Sequence, residues 1–380
     1  MGNHAKLSAS SSSRWLNCTA SVAAIDYLHS PDGGNTPPKT NKFAEEGTCA
    51  HELAEICLNN GKSPQDYIYD FLTEAPDIRV NKEMADYIEG YIEYVRSFET
   101  DTSELMIEHK VSYSDYALKG FGTSDVILRD GNVCHIIDLK YGMGGVNPKD
   151  NSQLMLYALG AYQEFGRYPY ELKTFHLHIY QPRINNISQW EISIKDLLIF
   201  GEKSKLASKK IETGDTEFNP SEKACQWCDF KGHCKELKLY NDKVIGCMFD
   251  AVPATPPLIE NTDLGKILDN KKIIESWLKA VEEVIFDKIS DGQLVEGYKI
   301  VHGRSSNKWD NENEVARKLK DYLGDKAYSK KLLSPAQARK NCNAKDFTDI
   351  SHHITRSTGK PTLAKANDKR ESLNDCSDLF

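Results

Sequence analysis

Between residues 43 and 214 the apolar positions repeat at helical spacing, then at the alternation of strands, then at helical spacing again. From about Phe43 to Asn59, the residues Ala50, Leu53, Ala54, Cys57 and Leu58 make one stripe, which predicts a helix with a buried face. From about Asn81 to Thr100, Met84, Ile88, Tyr91, Ile92 and Val95 do the same. Glu104 to Val111 reads as a strand, and two β-branched runs follow, Asp125 to Leu128 and Val133 to Leu139, separated by Arg129-Asp130-Gly131-Asn132. That arrangement predicts a hairpin. A helix is expected from Asn151, where Leu154, Leu156, Ala158, Leu159 and Ala161 can pack on a sheet. Strands are expected at Thr174 to Gln181 and Gln189 to Ile194, then a helix at Ile194 to Gly214. His176 and His178 share a strand face and read as structural or surface residues.

The flanks carry weaker patterns. Residues 1–13 read as a mobile, serine-rich lead-in, with a short helical stretch from Arg14 to about Leu28 and a loop from Ser30 to Lys42. The proline-rich DAVPATPP at 250–257 predicts a linker. Beyond it come an amphipathic helix at Thr262 to Ser290, a strand at Gly297 to His302, a capping box at Asn311 to Glu314, a helix starting at Ser334-Pro335, and an end that extends along the surface. The expected organisation is a flexible N-terminus (1–13), a main α/β domain with a mixed sheet flanked by helices (14–240), a linker (241–262) and a smaller, α-rich, relatively basic region (263–380).

Composition sharpens this reading in three ways. With 380 residues, 39% hydrophobic and 27% charged, the chain can bury a full core. No apolar run approaches membrane-spanning length and the start lacks an apolar signal core, so a soluble cytoplasmic protein with no membrane partner is expected. Net charge is −8, which argues against simple electrostatic nucleic-acid binding, yet residues 301–380 carry 16 Lys+Arg against 11 Asp+Glu. The C-terminal part is therefore the expected contact with phosphates, against the plainer reading of a solvated tail.

The candidate chemistry lies on the second hairpin strand. In Asp138-Leu139-Lys140, alternation puts the carboxylate and the ammonium on one face, and Asp125 heads the paired strand. Two carboxylates beside a lysine suit Mg²⁺ or Mn²⁺ and a water nucleophile. The plain alternative is an exposed ion pair of small worth. Gln153 and Tyr157 stand four apart on the following helix; core packing accounts for Tyr157 alone but leaves Gln153 able to reach a substrate phosphate or base. His51 and Glu55 share a helix face, but HELAE is not the zinc-protease pattern because Glu55 replaces the second histidine. The glycine-rich YGMGGVNP and Gly359-Lys360-Pro361 lack phosphate-loop spacing, so no ATP site is expected.

Ten cysteines in a chain of this kind predict metal ligands rather than disulfides. Cys225, Cys228 and Cys234 form C-x₂-C-x₅-C, one ligand short of a closed site. Cys18, in the compact WLNCTAS turn, is the expected fourth, because Cys49, Cys57 and Cys134 already have buried-face explanations. A local triplet with one distant cysteine favours a [4Fe-4S] cluster over structural Zn²⁺.

Taken in order, Gly47-Thr48-x-x-His51, GTSD ending in Asp125, Asp138-x-Lys140, Gln153-x-x-x-Tyr157 and the four cysteines resemble the RecB-like branch of the PD-(D/E)XK nucleases that carry an iron-sulfur cluster. The whole chain also looks like a phage and prophage family of unknown function. The resemblance implies a restriction-endonuclease-like fold with an iron-sulfur-stapled periphery. It further implies metal ligation by His51, Asp125, Asp138 and the Leu139 carbonyl, a water positioned by Lys140, a substrate strand steadied by Gln153 and Tyr157, and outer support from Glu55. The expected function is a Mg²⁺- or Mn²⁺-dependent deoxyribonuclease, an exonuclease on single-stranded ends, serving phage recombination, replication or repair in a bacterial or phage-infected cell with proteins of those processes as partners. Two alternatives stay open: a non-catalytic DNA-binding scaffold, and an iron-sulfur redox sensor.

Overall fold

The structure is a computed structural model, and it describes residues 5–31, 42–166, 171–246, 268–303, 307–328, 332–335, 338, 339, 342, 344–356, 361–365 and 370–373. The chain divides into two compact units, residues 1–276 and 277–380. Of the linker expected at 241–262, residues 241–246 are helical and the rest, including the proline-rich 250–257, lies outside the described residues.

The first unit is a mixed α/β layer structure. Short helices α1 (Ser12–Trp15) and α2 (Ser21–His29) precede α3 (Lys42–Asn60) and α4 (Lys82–Arg96). Strands β1 (Glu104–Ser112), β2 (Phe121–Asp130) and β3 (Val133–Leu139) follow, then α5 (Ser152–Phe165), β4 (Thr174–Gln181), β5 (Asn186–Ser193) and α6 (Ile194–Thr213). The five strands lie in the order β1-β2-β3-β4-β5 in an open sheet. Only β3 and β4 pair in parallel; the other neighbours are antiparallel. A parallel neighbour needs a crossover, and α5 supplies it between β3 and β4.

Side-chain caps mark the helix starts. Met84 N–H donates to Asn81 Oδ1 at 2.9 Å, and Gln153 and Leu154 N–H donate to Asn151 Oδ1 at 3.1 and 3.2 Å. Strand alternation then divides the sheet between two apolar cores. Val126, Ile137 and Leu139 pack with Leu53, Ala54, Met84, Ile88 and Tyr91 of α3 and α4, while Ile127 and Ile136 pack with Leu154, Ala158 and Leu159 of α5. His178 is fully buried rather than on the surface, with Nδ1 2.9 Å from Tyr94 Oη and Nε2 3.0 Å from His135 Nδ1. Burial and the neighbouring imidazoles of His135 and His176 push its pKa down to about 3, so the ring is a neutral core group.

The N-terminal lead-in differs from expectation. Residues expected to be mobile are packed instead: Leu7 and Ala9 join the core beside Trp15, whose indole N–H donates to Ser8 O at 3.0 Å, and Tyr113 Oη donates to Leu7 O at 3.1 Å. Serine content hid this, because the packing is carried by the apolar residues on either side of the serines. Helices α7 (Glu222–Cys225) and α8 (Lys235–Gly246) close the described part of this region.

Helix α9 (Lys271–Ser290) agrees with the later part of the helix expected at Thr262 to Ser290, whose first residues, 262–267, lie outside the described residues. The second unit contains β6 (Tyr298–His302), β7 (Asn307–Trp309), α10 (Glu312–Leu323), α11 (Ala344–Ser351), β8 (Ile354–Arg356) and β9 (Pro361–Lys365). Its small core comprises Val315, Leu319, Ala327, Leu333, Ala338 and Ile350. The pairing β6-β9 shows that part of the end expected to trail along the surface is a strand. Among the described residues, no helix is long and apolar enough to cross a membrane.

Candidate metal and acid-lysine site

Strands β2 and β3 bring two carboxylates to the middle of α3 and the first turn of α5. Asp125 Oδ2 accepts the Leu139 backbone N–H at 2.7 Å and lies 3.4 Å from His51 Nδ1. Asp138 is buried; its Oδ2 lies 2.8 Å from Lys140 Nζ, and Oδ1 accepts from the same ammonium at 3.1 Å. Lys140 is anchored in turn, since its backbone N–H donates to Tyr180 O at 2.9 Å. The structure thus brings His51, Asp125, Asp138 and Lys140 into one cluster. A cleft of about 180 Å³, including its solvent-open mouth, is lined by His51, Glu55, Tyr91, Glu108, Asp125 and Leu139 among others.

Glu108 is the member that the sequence reading missed. One ligand atom each from His51, Glu108 and Asp125 lies within 4.8 Å of the others, a spacing that a single cation can bridge. Glu108 would pair with Asp125 by register, because Ile107 pairs with Val126 and His109 with Ser124, yet the ladder skips these two residues. At this break Glu108 takes φ +45°, the left-handed region that a non-glycine residue adopts only under strain. Alternation counted from Ile127 and Met106, which pack on the α5 side, would aim Asp125 and Glu108 towards α5. The interruption lets both meet His51 of α3 instead, as a bulge re-aims a side chain.

The electrostatics follow from crowding these charges in a buried place. Burial alone would favour neutral His51, but the Asp125 carboxylate outweighs it and raises the imidazole to about 9. Burial likewise opposes the Asp125 anion, and His51 and Lys140 outweigh it, so its pKa falls. Asp138 is raised to about 6 by burial, despite Lys140, with Asp125 adding repulsion. Burial also raises Glu108, to about 7, with Asp125 contributing. Burial opposes the Lys140 ammonium, but Asp138 and Asp125 hold its pKa up. Asp138 Oδ2 is buried without a hydrogen bond of proper geometry, and a surplus of carboxylate in such a place is what a divalent cation relieves.

Gln153 and Tyr157 stand against the acid-lysine pair. The Gln153 amide is spent on the cluster, accepting from Lys140 Nζ at 3.2 Å and donating to Asp138 Oδ1 at 3.3 Å and Tyr157 Oη at 3.4 Å. Tyr157 is buried against Gly122, where an added Cβ would stand 2.9 Å from the ring. Both residues therefore orient the acid-lysine pair from behind. Glu55 lines the cleft, its pKa raised by burial with Glu74 and Glu52 adding repulsion.

The four expected cysteine ligands come from two distant segments. Cys18 follows α1, Cys225 ends α7, Cys228 precedes a short 3-10 turn and Cys234 precedes α8. Ala20 N–H donates to Glu217 O at 3.1 Å and Glu217 N–H to Thr19 Oγ1 at 2.9 Å, which ties the segments side by side. Asn219 N–H points at Cys18 Sγ (3.5 Å) and Leu237 N–H at Cys234 Sγ (3.4 Å). Burial pushes the Cys228 thiol up to about 12 and raises those of Cys225 and Cys234, and Cys18 lies close enough to add to each. Among the described residues, no three of these sulfurs are found within 4.8 Å of one another.

Among solved structures, the chain is similar to one titled "Crystal structure of SSO0001", at 12% identity over 56% of this chain and 94% of that one, with a TM-score of 0.23, too low for the overlap to carry an argument. A family profile matches residues 4–371, nearly the whole of the sequence, and on that match the chain belongs to the family described as "Protein of unknown function (DUF2800)".

Proposed function

We propose that this protein is a metal-dependent phosphodiester hydrolase of restriction-endonuclease-like fold, acting on DNA. The observation that carries this reading is the convergence of His51, Glu108 and Asp125 beside the buried Asp138–Lys140 pair. The order helix, three antiparallel strands, crossover helix and parallel strand supports it. His51, Glu108 and Asp125 would hold Mg²⁺ or Mn²⁺ through an imidazole and two carboxylates within bridging distance, with Asp138, whose buried Oδ2 lacks a hydrogen bond, and the Leu139 carbonyl as further proposed donors. When bound, such an ion shields the anionic phosphodiester, lowers the pKa of water and stabilises the leaving oxygen.

The chain's own groups do the positioning. Lys140, held by Asp138 and by Gln153, presents an ammonium to a water beside the scissile phosphate and offsets the negative charge that builds there. Gln153 fixes the rotamer of both partners, and Tyr157 fixes Gln153. Fragments with 5′-phosphates are the expected products, cut from single-stranded ends, and phage recombination, replication or repair is the proposed setting.

A [4Fe-4S] cluster on Cys18, Cys225, Cys228 and Cys234 belongs to the same proposal. What supports it is that the four thiols come from two segments tied side by side by the Thr19 and Ala20 bonds to Glu217, with backbone N–H groups aimed at two of the sulfurs. Its part is to join the N-terminal turn to a segment some 200 residues later.

The test is digestion of end-labelled single- and double-stranded DNA with Mn²⁺. The wild type should release 5′-phosphorylated products, and Asp138→Ala should lose cleavage by about 100-fold or more while keeping its circular dichroism spectrum. Cleavage by Asp138→Ala at wild-type rate, or none by the wild type on any DNA, overturns the assignment.

A further inference from the structure

We infer that the C-terminal unit holds a site for a zinc-class transition-metal ion, formed by Glu314, His352 and His353 and oriented by Asp310. One ligand atom from each of the three lies within 4.8 Å of the others. They come from two places in the unit: Glu314 from the first turn of α10, and the two histidines from the turn that follows α11.

His353 is the informative member. It is 6% exposed, and its Nδ1 lies 2.8 Å from Asp310 Oδ1. An imidazole beside a carboxylate donates Nδ1–H to it, which leaves the lone pair on Nε2. That Nε2 is buried and has no hydrogen bond of proper geometry, with Glu314 Oε1 standing 3.2 Å away. A buried nitrogen with an unengaged lone pair facing a carboxylate and a second imidazole is costly unless something electrophilic sits between them. A carboxylate-histidine pair with the far nitrogen aimed at further donors is how metal-binding imidazoles are oriented.

The orientation is rigid. Asp310 N–H donates to His353 O at 2.7 Å, and His353 N–H donates to Ile350 O at 3.1 Å, so backbone bonds fix the residue on both sides. Asn311 Oδ1 caps α10 through Glu314 N–H at 3.1 Å, which sets Glu314 in the first turn. Its side chain does not return to Asn311 as a capping box would require; it turns towards His353 and towards Lys318, whose Nζ is 3.4 Å away. Lys318 is the competing cation, shared with Asp349 at 3.9 Å. Its ion pairs are with the carboxylates of Glu314 and Asp349.

Two imidazoles and one carboxylate select zinc and its neighbours over Mg²⁺ or Ca²⁺, which prefer oxygen. Three protein donors leave the fourth tetrahedral position to water. A bound ion would join the start of α10 to the end of α11 across a unit whose core is small.

Full-length protein, made without a histidine tag, is stripped with chelator and dialysed against buffered Zn²⁺, and metal per chain is measured for the wild type, His352→Ala, Glu314→Gln, His51→Ala and Cys225→Ser. His352 is exposed, so its replacement spares the fold. The expected result is a loss of about one equivalent in His352→Ala and Glu314→Gln relative to wild type. His51→Ala and Cys225→Ser, which report on the other two sites, should each keep that equivalent. Co²⁺ at this site should give visible bands without thiolate charge transfer, absent from His352→Ala. Equal zinc in wild type, His352→Ala and Glu314→Gln overturns the proposal, whatever the outcome of the nuclease assay.

Discussion

Glu108 shows how a single residue can decide the character of a site. It is an ordinary acidic position in a strand, yet its left-handed backbone and the skipped ladder pair bring its carboxylate to His51 and Asp125. The strain at such a φ costs about 1–3 kcal/mol and persists only where the surroundings enforce it. If Glu108 is a cation ligand, Glu108→Gln should weaken Mn²⁺ activation of cleavage by roughly tenfold or more in half-saturating metal, at little cost to stability. Metal-titrated digestion checks this; an unchanged Mn²⁺ dependence would leave Glu108 as a bystander.

At the scale of elements, the site depends on how closely α5 lies on the sheet. Gly160 makes that approach possible: a Cβ there would stand 2.8 Å from the Val111 side chain and 3.3 Å from Ser112 O. Alanine ordinarily gains up to about 1 kcal/mol over glycine inside a helix. Here the clash involves the strand backbone as well as a β-branched side chain, so β1 or α5 must move. Gly160→Ala should therefore lower stability by a net of about 1–2 kcal/mol, read as a lower urea midpoint. Val111→Ala in the same background should recover part of the loss, because the two positions are in contact. A shift of α5 would also carry Gln153 and Tyr157 away from the Asp138–Lys140 pair, so cleavage should fall together with stability.

For the whole molecule, the first unit is closed by contacts between segments at opposite ends of its sequence. Hydrogen bonds from Thr19 and Ala20 to Glu217 already hold the N-terminal turn beside the cysteine segment. The proposed cluster would reinforce that closure by limiting the freedom of the unfolded chain. Anaerobically purified protein should be coloured and contain about four irons per chain. Cys18→Ser should lose most of the iron and unfold at lower temperature, while retaining the buried acid-lysine pair. Colourless protein with zinc in place of iron would keep the closure but reject the cluster.

What the sequence determined by itself was local. Apolar spacing placed α3 to α6 and the five strands of the sheet to within a few residues, because burial on one face imposes the period. The adjacency of Asp138 and Lys140 on one face followed from alternation alone. Only the tertiary structure decided that Glu108 joins Asp125, since that depends on a break in the ladder that no residue type announces. It also turned Gln153 inward, packed Leu7 and Ala9 beneath Trp15, and brought Glu314 to two histidines almost 40 residues later. The physical division is between preferences that act within one element and the meeting of groups distant in sequence: periodicity records the first, whereas the second is fixed by packing and backbone deviation.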